Sequence, residues 1–167
     1  MSTTSYIRTQ GTIAAIINVV VNSLVTWLSH RPTGFVPLTG NGSMAIDVFV
    51  TSIVLPFLVS RCVSKGVRRD LDAGRLGATD EPPGAGRVLS RLPARWWAFG
   101  LLTGVGVAVV AVGVLSLLGA LGWSGLPLAG FVAFMAVYTG LFGYAMTRWV
   151  ILRQLTERRA GAAAAGR

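Results

Sequence analysis

Along the chain, long apolar runs alternate with short stretches that hold nearly all the polar and charged side chains. Four runs stand out, at 12–29, 44–62, 96–121 and 126–150. Each is close to the length a helix needs to cross a bilayer, since about 20 residues rising 1.5 Å each cover roughly 30 Å of hydrocarbon. The pattern predicts an all-α integral membrane protein with four transmembrane helices in two hairpins. Residues 1–11 read as a polar leader, 30–43 as an external loop, 63–95 as a basic cytoplasmic loop, 122–125 as a short external turn and 151–167 as a basic tail. The external loop, HRPTGFVPLTGNGS, carries Pro and Gly that end one helix and forbid another. Ser43 is placed to cap the second span.

The stretch 61–75, RCVSKGVRRDLDAGR, continues the helical period of the second run, with Val63, Val67 and Leu71 on one face and basic residues on another. That pattern predicts a helix leaving the bilayer and lying in or near its interface. Beyond it, LGATDEPPGAG at 76–86 reads as a linker, and the tail AGAAAAGR as a frayed end. Trp96 and Trp97 suit the headgroup boundary. One internal similarity is visible: VTSIVLPFLVSR at 50–61 aligns without gaps on VYTGLFGYAMTR at 137–148. It pairs Ser52 with Thr139, Pro56 with Gly143, Ser60 with Thr147 and Arg61 with Arg148. Two hairpins of one orientation would form a parallel repeat, although any two spans ending in a cytoplasmic arginine resemble each other this far.

Composition agrees with the pattern. Hydrophobic residues make up 53% of the 167, charged ones only 13%, against about 25% in a soluble domain. The mean hydropathy is +0.64. Charge then sets the orientation. Arginine and lysine crowd into the middle loop and the tail, whereas the first external loop offers only His30 and Arg31. Basic residues accumulate on the cytoplasmic side, so both termini are expected inside, with the chain in the inner (plasma) membrane. The first run, too long for a signal core and without a small-x-small cleavage site, is expected to stay as a span. The net charge of +9 is thus a topology signal, not a sign of nucleic-acid binding. Arg61, Lys65, Arg68, Arg69 and Arg148, at the membrane edge, are candidates for contact with anionic lipid headgroups. The single cysteine, Cys62, reads first as a small buried apolar residue, with reversible S-acylation as the alternative.

The first span raises a chemical question. Asn18, Asn22 and Thr26 recur every four residues and share one helix face. Asp47, the one acid within any span, lies about a turn below the outer end of the second and shares a face with Thr51. An acid there also favours the positive end of its own helix and could pair with His30 or Arg31. Matching depths across the first hairpin sets Thr26 level with Asp47, and Asn22 level with Thr51. Those groups could hydrogen-bond between helices or line a polar path for a cation or proton. Asn18 has no partner at its own depth in that hairpin, and so requires one from the second hairpin or another subunit. Pro56 predicts a bend, since it cannot donate to the Ser52 carbonyl.

The second hairpin is rich in glycine. Gly100 and Gly104 form a G-x-x-x-G pair with Ala108 following, and Gly140 and Gly143 sit in the fourth span. Small residues at this spacing allow close helix packing. One histidine and one cysteine make no metal or haem site, no cofactor motif is present, and no base lies beside a buried serine. No enzyme, metal or cofactor is expected. Two functions fit: an oligomeric channel or transporter for a small ion or solute along the polar TM1/TM2 face, or a non-catalytic accessory subunit. The second would hold a membrane partner through its glycine-rich TM3/TM4 face and basic loop.

Overall fold

The computed structural model describes residues 2–76 and 95–165. Helix α1 spans Thr3–His30, strand β1 Phe35–Pro37, α2 Met44–Asp72, α3 Trp96–Ala120, strand β2 Gly125–Pro127 and α4 Leu128–Ala165. All four helices are long and apolar enough to cross a membrane. Ile16, Val20, Val109, Val110 and Leu141 among many others are exposed, an outer surface that suits lipid and not water. The fold is that of an all-α membrane protein with a two-stranded clip.

Helices outrun their apolar segments. α1 starts at Thr3, because Ser2 caps it: the Ser5 amide donates to Ser2 Oγ at 3.3 Å. The predicted leader is therefore mostly helical. α2 runs unbroken to Asp72, and its apolar face does not lie along a membrane surface. Val67 and Leu71 are buried with Tyr6 and Ile7 of α1 and with Ile151, Leu152 and Leu155 of α4. α4 stays helical through Ala165, as an alanine run favours, in place of the frayed tail. Of the expected linker at 76–86, Leu76 is buried in the cluster with Val67 and Leu71, while 77–86, with Arg87 and Arg91 beyond, lie outside the described residues.

The helices do not pack as the two sequence hairpins. α1 lies along α4, α2 lies along α3, and α2 also touches α4. Each helix thus takes its main partner from the other half of the chain. β1 and β2 pair antiparallel, with Val36 opposite Leu126. Three-residue strands carry too little periodicity for the sequence to show this pairing. Gly125 makes it possible, with φ at 152° and no room for a side chain beside the Val36 carbonyl and the Phe35 ring.

The two halves occupy equivalent places. Exchanging them turns the α1–α4 pair into the α3–α2 pair and returns α2–α4 and β1–β2 to themselves. The aligned segments follow suit. Ser52, Pro56, Ser60 and their counterparts Thr139, Gly143, Thr147 are all buried, while Arg61 and Arg148 are both exposed.

Candidate functional site: the gap between α1 and α2

The asparagine stripe turns toward α4, not α2. Asn18 lies against Gly143, where a Cβ would come within 2.6 Å of its Nδ2. Its amide donates to the Ala14 carbonyl at 2.7 Å, and Asn22 donates to the Asn18 carbonyl at 2.9 Å. The same carbonyl accepts from Thr139 Oγ1 at 3.3 Å. Each amide thus places one N–H on a carbonyl of its own helix, which removes part of the cost of holding it in hydrocarbon. Thr26 is buried and Thr51 half-buried. No hydrogen bond among the described residues joins Asn22 to Thr51 or Thr26 to Asp47. The depth-matched pairs do not form because α1 takes α4, not α2, as its main partner; Asn18 sits where α4 and the α1–α2 groove both reach it.

Asn18 also has a counterpart. At the matching level of the other helix pair, Gly104 of α3 meets Ser52 and Pro56 of α2. One interface sets a large residue on α1 over Gly143; the other sets Gly104 over Pro56. The internal similarity thus aligns a glycine with a proline because their partners changed size in the opposite sense.

α1 and α2 pack loosely against each other and are joined near each end by one hydrogen bond. At one end Tyr6 donates its hydroxyl hydrogen to Asp70 Oδ2 at 2.7 Å. At the other, His30 Nε2 donates to Asp47 Oδ2, also at 2.7 Å, so His30, not Arg31, takes the carboxylate. His30 is buried, edge-on to Phe131 with ring centroids 5.4 Å apart. Next to the Tyr6–Asp70 contact lies an open groove of about 470 Å³, between Ile13, Ile17 and Asn18 on α1 and Leu58, Val59 and Cys62 on α2; Ile13, Ile17 and Leu58 are exposed along it. Its lining is mostly apolar, with Gln10 and Asp70 at the rim. Cys62 is exposed, contrary to the expected burial, because α2 turns this face to the gap and not to a neighbouring helix. Tyr6 and Asp70 escaped the sequence reading since both lie outside the apolar runs. The signal available was the helical period that carries α2 past the membrane edge.

The glycines are engaged inside the chain. A Cβ on Gly104 would sit 2.7 Å from the Ser52 carbonyl oxygen, and one on Gly100 would sit 3.0 Å from the Pro56 carbonyl. Ala108 is buried one turn further along. Gly140 faces Val19, with its Cβ position 2.8 Å from Val19 Cγ2. Gly104 is therefore what lets α3 close on the carbonyl that Pro56 leaves without its helical donor. Among the described residues no cluster of His, Cys, Asp or Glu could hold a metal ion.

No family model matches the chain, and no curated protein or solved structure is significantly similar to it.

Proposed function

We propose that the protein carries a small amphiphilic cation across the inner membrane along the gap between α1 and α2. One observation carries this reading: a mostly apolar, open groove of about 470 Å³ runs between α1 and α2 from the Tyr6–Asp70 contact to Val21 and Leu58, and the same two helices are joined again at His30–Asp47. Asp47 and Asp70 attract the cation and exchange it for the hydrogen bonds they make at rest, to His30 and Tyr6. The groove wall, with Asn18 as its polar point, takes the apolar body. Asn22, Thr26 and Thr51 support the helices in this reading and do not line the path. The excess of Lys and Arg in the middle loop and tail supports cytoplasmic termini, which makes Tyr6–Asp70 the inner closure and His30–Asp47 the outer one. The gap belongs to one chain, so a homo-oligomer would hold several pathways without needing a shared one.

The test is uptake of small lipophilic cationic dyes by proteoliposomes of the purified protein. Flux is expected, lowered by Asp47→Asn and abolished by Ile17→Trp, which fills the groove and leaves the fold intact by circular dichroism. No flux of any such dye, or flux indifferent to Ile17→Trp, refutes the proposal. Absence of flux together with co-purification in a larger membrane complex would favour the accessory-subunit function. That alternative has less support, because Gly100, Gly104, Gly140 and Gly143 already face neighbours within the chain.

A further inference from the structure

The five basic residues at the membrane edge are not equivalent in space. Arg61, Lys65 and Arg68 lie three and four residues apart on one face of α2, with Ser64 beside them. Together with Trp96, the first residue of α3, these four wall a second cavity of about 130 Å³. All five are exposed, but Arg69 and Arg148 do not line it. The Arg61 guanidinium lies 5.4 Å from the centre of the Trp96 ring, which fixes it at the mouth. Arg68 is oriented from behind, its Nε donating to Gln154 Oε1 of α4 at 3.0 Å. Ser64 is buried in the floor.

No acid neutralises these three cations among the described residues. Asp47 bonds His30, Asp70 bonds Tyr6 and Arg75, Asp72 bonds Arg158, and Glu157 bonds Arg153. Three cations without an acidic partner among the described residues, lining one cavity, repel one another and favour an anion between them. The volume equals roughly four waters at about 30 Å³ each, which accommodates a phosphate group. Its location supplies the second half of the argument. The apolar run of α2 ends here, and tryptophan marks the level of lipid headgroups.

We infer that this cavity is a binding site for a phosphate-bearing anion, and that its source is an anionic phospholipid whose tails run along the exposed faces of α2 and α3. Phosphate oxygens take the Arg61 and Arg68 guanidinium hydrogens and the Ser64 hydroxyl, with Lys65 as a point charge over them. The site is separate from the α1–α2 gap and does not depend on transport.

Native mass spectrometry of the purified protein tests this, with phosphatidylglycerol and phosphatidylcholine compared as bound lipids and inorganic phosphate as competitor. Phosphatidylglycerol should be retained in preference. Lys65→Gln, which breaks no hydrogen bond or ion pair among the described residues, should weaken retention roughly fivefold, and Arg61→Gln at least as much, in line with the gain per basic residue near an anionic surface. Arg69→Gln and Arg148→Gln should leave retention unchanged, as should Asp47→Asn. Equal losses for Arg69→Gln and Lys65→Gln would show a diffuse field in place of a site, and would overturn the inference. Displacement of the lipid by inorganic phosphate would overturn its assignment to a lipid. If dye flux is absent but the lipid selectivity persists, the transport function fails and this site stands.

Discussion

Replacing Gly104 with alanine is the sharpest test of how the helices are held. The added methyl would meet the Ser52 carbonyl oxygen at 2.7 Å, the Pro56 ring at 3.0 Å and the Ile53 Cα at 3.1 Å. Two of these are backbone and the third is a closed ring, so none can swing aside. α3 must move off α2, and overpacking of this kind costs about 1–3 kcal/mol. Alanine returns up to about 1 kcal/mol of helix propensity, leaving a net loss of roughly 1–2 kcal/mol. Gly143→Ala makes a contact just as short, 2.6 Å, but with Asn18 Nδ2. That side chain can rotate, giving up its bond to Ala14, worth about 1 kcal/mol, which propensity nearly offsets. Gly106 has open space around it, so Gly106→Ala in the same helix should be neutral or slightly stabilising. Unfolding in mild detergent with increasing sodium dodecyl sulfate, followed by circular dichroism and tryptophan emission, ranks the three. If Gly104→Ala proves as stable as Gly106→Ala, the close approach of α3 to the Pro56 region is wrong.

Other consequences are simpler to check. Tyr6→Phe leaves Asp70 with only its 3.3 Å contact to Arg75, so the α1–α2 gap should open more often. Stability in the same unfolding assay should then fall by roughly 1–3 kcal/mol, the worth of a hydrogen bond to a charged group; unchanged stability contradicts the closure. For the opposite end, a double-mutant cycle of His30→Ala and Asp47→Ala should give a coupling above about 0.5 kcal/mol in the same unfolding assay, whereas simple additivity would deny the pair any role. Gly125→Ala forces a side chain into a backbone conformation reserved for glycine and against the Val36 carbonyl. It should lower stability by about 1–3 kcal/mol, measured as a drop in the thermal midpoint, and wild-type stability would count against the β1–β2 clip.

The spans were legible because hydrocarbon imposes a length and a composition that few other constraints produce. Which spans touch was not. In water the apolar face of a helix points inward, but α3 is apolar all round, and Val109 facing lipid looks no different in sequence from Leu115 facing protein. Pairing by adjacency then suggested α1 against α2, and the Asn22–Thr51 match followed from that error. The small residues were a better guide: Gly100, Gly104, Gly140 and Gly143 all mark close approaches, though they do not name the partner. Asp47 was visible as a carboxylate in a span, and His30 as one of two partners. Tyr6 was hidden because TTSYIRTQG, the first turns of α1, has neither an apolar run nor a period long enough to declare a helix; Asp70 lay on a stretch read as helical, but without Tyr6 it had no visible partner.

The pairing of α1 with α4 has a consequence for how the protein is made. α1 leaves the ribosome first, and its partner leaves last. At typical synthesis rates the interval is on the order of ten seconds. Throughout it, α1 waits in lipid without the surface it is shaped to meet. Asn18 and Asn22 pass that interval with their amides already tied to Ala14 and Asn18 carbonyls of the same helix. Thr139 arrives only when the fourth span inserts. The stripe is therefore a surface that tolerates a delay: polar enough to recognise α4, and self-sufficient until it comes.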